Sequence, residues 1–326
     1  MQALRCRRDS ADAGLYALTT MLTIMPTASA ARIEPSDAHD LIVFGATGAV
    51  GRAVLARLIA AGRRPLCPGR TGRDRLPTGS DWQAFDLYAE QPLELPAATE
   101  IVSAGPLDGL AHWLRRCPPQ RPVRIAALSS TSAQTKLASN DPSERRLAQR
   151  LLDAEQMVIA QARRSGGSAT LLRATLIYGN GPDRNLSHWT RLAQKLGRVP
   201  MPVWARGRRQ PVHADDLAAA LLTSLDRTAV AHRILTLPGG ETLDYRSMVA
   251  RHLAVSVPGA GLLDLVRPLA AAAVATLALG PAHWRARAAQ LRRTGQDLCF
   301  DDGDWRLLDL APRPFRPEPP DPDPTR

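Results

Sequence analysis

Residues 41–51 constrain the fold more than any other stretch of the chain. Leu41-Ile42-Val43-Phe44 is a short, unbroken apolar run, the pattern of a strand buried on both faces. Gly45-Ala46-Thr47-Gly48-Ala49-Val50-Gly51 follows at once. From Arg52 to Ala61, Val54, Leu55, Leu58 and Ile59 recur at helical spacing until Gly62 ends the segment. Strand, glycine turn and helix in that order open a dinucleotide-binding βαβ unit. The first glycine permits the tight turn, the second lets the backbone approach a pyrophosphate, and the third lets the helix pack closely. N–H groups and the dipole at the helix start stabilise phosphate charge. The motif predicts a cofactor held by Gly45, Thr47, Gly48, Ala49, Val50 and Gly51.

Further apolar runs at Pro65-Leu66-Cys67, 82–87, 100–104, 123–128, 169–172 and 234–237 alternate with helix-like segments. That alternation predicts an α/β fold, a Rossmann-like doubly wound parallel sheet with a smaller C-terminal substrate-side region. The expected organisation is an extension or signal-like segment at 1–39, an NAD(P)-binding core at 40–180 rejoined by 211–238, an interleaved substrate-side region at 181–311, and a Pro-rich tail at 312–326. One helix is well delimited. Asp141 can cap it, Pro142 suits its first position, Glu144 occupies the capping-box position, and the pattern runs to Arg164 before Gly166-Gly167. Leu269 to Leu279 is apolar but only about half of the ~20 residues a membrane span requires, so it reads as a buried or amphipathic helix, and no integral membrane segment is expected. Seven prolines between Pro312 and Arg326 predict a tail that trails over the surface without regular structure. At the amino end, Arg5, Arg7 and Arg8 precede an apolar stretch from Leu15 to Met25, and Ala28-Ser29-Ala30 has the form of a signal-peptidase site. Thr19, Thr20 and Thr23 interrupt that stretch, and Met21 or Met25 could start the chain; an upstream extension of a cytoplasmic protein is expected over export.

Charge narrows the partners. The 326 residues hold 42 basic and 31 acidic side chains, a formal charge of +11, and only two of the cations, Lys136 and Lys195, are lysines. The arginines are spread over the whole length with no long run of like charge, which predicts a solvated basic surface. Aromatic residues make up 4%, too few for base-stacking platforms, so a small-molecule substrate rather than nucleic acid is the expected partner. Cys6, Cys67, Cys117 and Cys299 form no C-x-x-C pair and no histidine stands at zinc-ligand spacing, so no metal is expected. About 20 residues beyond the glycines, where a cofactor with a free 2′-hydroxyl normally meets a carboxylate, the chain reads Pro68-Gly69-Arg70-Thr71-Gly72-Arg73. Arg70 can hold a 2′-phosphate by a charge-assisted fork, so NADP is expected ahead of NAD.

Five segments together resemble a family. The glycine turn, Asp86-Leu87, Ser129-Ser130-Thr131, Leu172-Arg173-Ala174-Thr175-Leu176-Ile177-Tyr178-Gly179 and Val212-His213-Ala214-Asp215-Asp216-Leu217-Ala218 are similar to NAD-dependent epimerase/dehydratase proteins of the extended or atypical short-chain dehydrogenase/reductase type. Gly239-Gly240-Glu241-Thr242-Leu243 and Pro312-Arg313-Pro314-Phe315 extend the likeness over about residues 40–317. The resemblance implies that Gly45, Gly48 and Gly51 contact the pyrophosphate, Asp86 and Leu87 the adenine, and Ser103, Ala104 and Gly105 the ribose side. It places Ser129 to Thr131 at the nicotinamide end, bordered by Ala174 and Thr175.

That family uses a Tyr-x-x-x-Lys pair one helical turn apart, the lysine lowering the tyrosine pKa. Here the residues four positions after Tyr16, Tyr88, Tyr178 and Tyr245 are Thr20, Pro92, Pro182 and Val249. Setting the register on Ala154-Glu155 puts Leu147 and Leu151 at the pair's positions. Thr131 and Ser130 remain as the hydroxyls to orient a carbonyl, Thr131 the better aligned. Lys136 follows in a loop, while Arg146 and Arg150 share a helix face and are expected to meet solvent. Arg184, Arg206 and Arg208 could neutralise a substrate phosphate or carboxylate or simply face water, and Asp216 is expected to start a helix. Two functions follow from the same residues. One is an NADP-dependent oxidoreductase or isomerase acting on a small carbonyl or sugar-like compound. The other is a dinucleotide-binding redox sensor or assembly factor that does not catalyse.

Overall fold

The computed structural model describes residues 39–90, 94–181 and 186–319. The chain enters β1 (Leu41–Phe44), α1 (Ala49–Ala60), β2 (Leu66–Gly69), β3 (Asp81–Ala84), β4 (Glu100–Ser103) and α2 (Leu107–Arg116). It continues through β5 (Arg124–Ser130), a single turn α3 (Ser132–Thr135), the long α4 (Pro142–Arg164), β6 (Ser168–Ala174) and β7 (Ile177–Tyr178). Then come α5 (Ser187–Leu196), β8 (Arg198–Pro202), β9 (Arg208–Arg209), β10 (Val212–His213), α6 (Ala214–Asp226) and β11 (Ile234–Leu237). The last elements are β12 (Leu243–Asp244), α7 (Tyr245–Ser256), β13 (Gly261–Leu265), α8 (Arg267–Leu279) and α9 (Ala282–Arg293).

Seven parallel strands form the central sheet in the order β11-β6-β5-β4-β1-β2-β3. This is the doubly wound arrangement expected from the apolar runs, and its order reverses between β1 and β4, the place where such sheets receive ligands. Both faces are covered, which is why the strands are continuous apolar runs rather than alternating ones. On one face Val54, Leu55 and Leu58 of α1 and Leu217 and Leu221 of α6 pack on Val43, Val102 and Leu172. On the other, Leu110, Trp113 and Leu114 of α2 and Val158 and Ala162 of α4 pack on Ile42, Ile101 and Ile125. A third core, with Tyr178, Trp189, Met201, Tyr245, Met248 and Phe315, holds together the elements beyond the sheet.

Several local expectations are revised. β3 is shorter than the apolar run at 82–87 and stops at Ala84. Asp141 caps α4 as read, accepting from the Ser143 N–H at 2.7 Å, but Glu144 does not close a capping box. Its carboxylate is drawn to Ser139, Lys136 and Arg293, and the Asp141 N–H bonds the Ser139 hydroxyl at 3.2 Å instead. Asp216 stands in the first turn of α6 as expected of a helix-start residue, but the cap is His213, accepting from the Asp215 N–H. α8 buries only Ala270 and Val274. The segment at 303–308, placed by sequence with the substrate-side region, returns Trp305 and Leu308 to the first core.

The proline-rich end does not simply trail. Phe315 is 1% exposed, its ring 4.7 Å from that of Tyr178. Proline removes hydrogen-bond donors and so prevents regular structure, but it does not prevent side-chain packing. The segments 1–38 and 320–326, with the extension or signal-like reading and the rest of the tail, lie outside the described residues.

Candidate functional site

The glycine turn is built by close backbone approach. Gly45 has φ +70°, and a Cβ there would stand 2.5 Å from the Gly105 nitrogen, so the turn after β1 rests on the end of β4. A Cβ on Gly51 would come within 2.0 Å of the Gly45 carbonyl oxygen, which fixes how tightly α1 seats on the turn. Gly48 is exposed and caps α1 by backbone alone: no side chain bonds the first-turn N–H groups and no acidic residue stands among them. An uncapped helix start at a sheet's switch point fits an anionic pyrophosphate, supplied by the residues the motif singled out.

Of the other residues expected at the cofactor, those at the end of β4 meet the turn directly. Ser103, Ala104 and Gly105 lie at the end of β4 against Gly45; the Ser103 hydroxyl is fully buried without a hydrogen-bond partner among the described residues. Arg70 directly follows β2, is exposed, and pairs with no carboxylate among the described residues. Its turn lies against the glycine turn, since a Cβ on Gly72 would meet Thr47 Cγ2 at 2.8 Å. Asp86 and Leu87 follow β3; Asp86 accepts from the Tyr88 N–H at 3.0 Å and Leu87 packs on the second core. Burial and the Asp108 carboxylate push the Tyr88 phenol up to about 12.

A cleft of about 500 Å³ opens at the C-terminal ends of β5 and β6. Ser130, Thr131 and Thr175 line its start, Leu147, Lys136 and Glu144 one side, and Arg209, Tyr245 and Arg293 another. Thr131 is 9% exposed, and both its N–H and its Oγ1 reach the Ala174 carbonyl, at 3.0 and 3.3 Å. The Ser130 hydroxyl accepts from the Ser132 N–H at 3.1 Å. Thr175 Oγ1 donates to the Gln210 carbonyl. Ser129 is set apart from these hydroxyls: it donates to Glu155 at 2.6 Å, a carboxylate 1% exposed and held also by Arg173.

The cleft carries charges that the sequence did not single out. Glu144 bonds Ser139 at 2.7 Å, Arg293 at 2.6 Å and Lys136 at 3.1 Å; burial raises its carboxyl, but these partners outweigh that and hold it below its usual range. Arg209 is 7% exposed and is held by the carbonyls of Arg208 at 2.8 Å, Gln296 at 2.5 Å and Arg293 at 2.7 Å, with no carboxylate paired to it among the described residues. Its guanidinium also lies 5.3 Å from the centre of the Tyr245 ring. Burial pushes the Tyr245 phenol up, while Trp189, donating to Tyr245 Oη at 3.0 Å, and Arg209 pull it back. Because that bond uses the oxygen as acceptor, the phenol hydrogen is free to donate elsewhere.

Arg208 is not in the cleft. It is exposed and bound to Asp297, through its Nε at 2.9 Å and its N–H at 2.8 Å. Successive strand residues face opposite sides, so in β9 the inward arginine is Arg209. Arg206, Arg146 and Arg150 are exposed, and Arg184 lies outside the described residues. Lys136 faces the cleft rather than solvent alone.

Comparison with known proteins bears on the same stretch. Residues 109–235 match the NAD dependent epimerase/dehydratase family. This match runs from α2 through β11 and includes Ser129 to Thr131, Thr175 and Arg209. A UDP-glucose 4-epimerase of Vibrio cholerae is 26% identical over 105 residues, a stretch that spans 32% of this chain and 32% of that protein. The UDP-N-acetylglucosamine 4-epimerase of Bacillus cereus shares the fold at a TM-score of 0.56 and 14% identity, covering 83% of this chain and 92% of that one. The dTDP-glucose 4,6-dehydratase of Bacillus anthracis, solved in complex with NAD, does so at 0.57 and 11%, covering 83% and 91%.

Proposed function

We propose that the protein is a nicotinamide-dinucleotide-dependent oxidoreductase or epimerase, favouring NADP, whose substrate is a sugar-like carbonyl compound bearing an anionic group. The observation that carries this reading is Arg209, a buried cation with no paired carboxylate among the described residues, in the wall of a cleft that begins at Ser130, Thr131 and Thr175. Among the described residues three cations, Lys136, Arg209 and Arg293, and one carboxylate, Glu144, line the cleft, an imbalance that an anionic ligand would correct. The epimerases named above are epimerases of UDP-sugars, whose diphosphate is such an anionic group.

A bound nicotinamide supplies the hydride chemistry; the chain supplies binding, orientation and protons. The glycine turn and the start of α1 would hold the pyrophosphate, and Arg70, exposed and without a carboxylate partner among the described residues, would meet a 2′-phosphate. Thr131 and Ser130 orient the carbonyl. Tyr245 is the ionisable hydroxyl of the cleft and gives or takes the proton at its Oη, replacing the pair absent from positions 147 and 151. A phenol raised by burial stays protonated through neutral pH, which suits a proton donor.

Leu147 in the cleft wall favours the second reading, a dinucleotide-binding sensor without turnover. Fluorescence titration with NADPH and NADH, then NADPH oxidation over a panel of carbonyl compounds and sugar nucleotides, separates the two. Arg70→Ala should weaken NADPH roughly tenfold more than NADH, the effect of losing one charge-assisted contact. Thr131→Ala and Tyr245→Phe should each lower kcat about 100-fold with KM little changed. Binding without turnover of any compound selects the sensor, and no binding of either nucleotide refutes both readings.

A further inference from the structure

The α8–α9 hairpin presents an apolar surface that the site does not use. α8 packs on α9 and β8, buries Ala270 and Val274, and turns its other face to solvent. Leu269, Ala272, Thr276 and Leu279 share that outer face at helical spacing; Leu269 is 63% exposed and Leu279 90%. The only polar side chain among them is satisfied within the helix, Thr276 donating to the Ala272 carbonyl at 2.9 Å. Val266, before the helix, and Trp284, in the first turn of α9, are 52% and 45% exposed. An apolar surface of this kind on a soluble fold marks an interaction site.

Its charge selects the occupant. Between Asp264 and Asp297 there is no acidic residue, while Arg267, Arg285, Arg287 and Arg292 are all exposed. A second copy of the chain would set these arginines against their own mates across an isologous contact. A bilayer with anionic headgroups presents the opposite: negative charge over a hydrocarbon layer that accepts leucine and alanine without shape matching. At 13 residues α8 is about 20 Å long, shorter than the ~30 Å hydrocarbon layer, so it suits lying in the interface. Among the described residues no helix is long and apolar enough to cross a membrane. We propose that the outer face of α8, in a hairpin that carries exposed arginines and no carboxylate, docks the protein on anionic lipid surfaces, inserting Leu269 and Leu279.

The test is co-sedimentation of the full chain with vesicles of equal parts phosphatidylglycerol and phosphatidylcholine, and with phosphatidylcholine vesicles alone. Binding to the first and not the second is expected. L269E/L279E should abolish it, and R267Q/R292Q should weaken it about fivefold per arginine. Circular dichroism checks that each variant folds; should L269E/L279E not fold, the arginine pair, on exposed side chains, still decides. Failure of the wild-type chain to bind phosphatidylglycerol vesicles overturns the proposal. So does binding unchanged by L269E/L279E or by R267Q/R292Q. A wild-type dimer in gel filtration that L269E/L279E turns into monomer would also overturn it, showing that a second copy covers the face.

Discussion

Gly48 and Gly51 differ in what a methyl group would meet, and so in what a substitution should cost. At Gly51 the added carbon falls 2.0 Å from the Gly45 carbonyl oxygen, a backbone atom that cannot turn aside. At Gly48 the same oxygen is 3.3 Å away and the residue is exposed, which a small shift accommodates. Gly51→Ala should therefore lower the melting temperature by several degrees, a loss of about 2 kcal/mol, as well as nucleotide affinity. Gly48→Ala should leave the melting temperature nearly unchanged and weaken NADPH in a fluorescence titration. These glycines were legible because spacing and flanking pattern specify them together. Arg209 was not, because Arg206, Arg208 and Arg209 are chemically alike in sequence and β9 is two residues long, too short to reveal which one faces inward. Tyr245 carries no local signal for another reason. A Tyr-x-x-x-Lys pair lies along one helix, whereas the groups that set the Tyr245 environment, Trp189 and Arg209, come from α5 and β9.

Among the elements, α4 shows how far local chemistry reaches. Its cap, first proline and end match the sequence reading because each depends on neighbours within a turn. Asp141 accepts from both the N–H and the hydroxyl of Ser143, at 2.7 Å each, and these bonds hold its carboxyl below the usual aspartate range. A carboxyl lowered in the folded state contributes stability at pH values above its unfolded pKa and loses it as the pH falls through the folded one. Asp141→Ala should cost about 1 kcal/mol near neutrality. The wild-type and variant melting curves should converge in acid below the aspartate range. The short strands β7, β9, β10 and β12 had no such local signature, since two residues show no alternation and the partner strand alone holds them extended. α8 was legible as a helix but not in its surroundings. An apolar run is compatible with burial or with an external apolar partner, and only packing distinguishes them.

At the scale of the molecule, the segment from Arg313 to Phe315 ties the third core to α6 on the sheet. Arg313 bonds Asp216 of α6 through its N–H at 2.9 Å and its Nε at 2.8 Å, and the Phe315 N–H bonds Glu241 at 3.1 Å. Tyr178 Oη of β7 donates to the Pro314 carbonyl at 3.2 Å and accepts from the Arg316 N–H at the same distance. Composition hid this clamp, because proline content reports on backbone hydrogen bonding while the anchor is one phenylalanine meeting Tyr178 from 137 positions earlier in the sequence. Phe315 belongs to the same core as Tyr245, which lines the cleft, so loosening one end of that core should be felt at the other. Phe315→Ala should destabilise the fold by about 3 kcal/mol, the cost of emptying a buried aromatic site, read as a fall in the urea midpoint. Under conditions where the variant is still fully folded, turnover should fall while NADPH affinity holds, because the glycine turn rests on Gly105 and α1, away from the third core. An equal loss of turnover and cofactor affinity would show instead that the clamp supports the sheet as a whole.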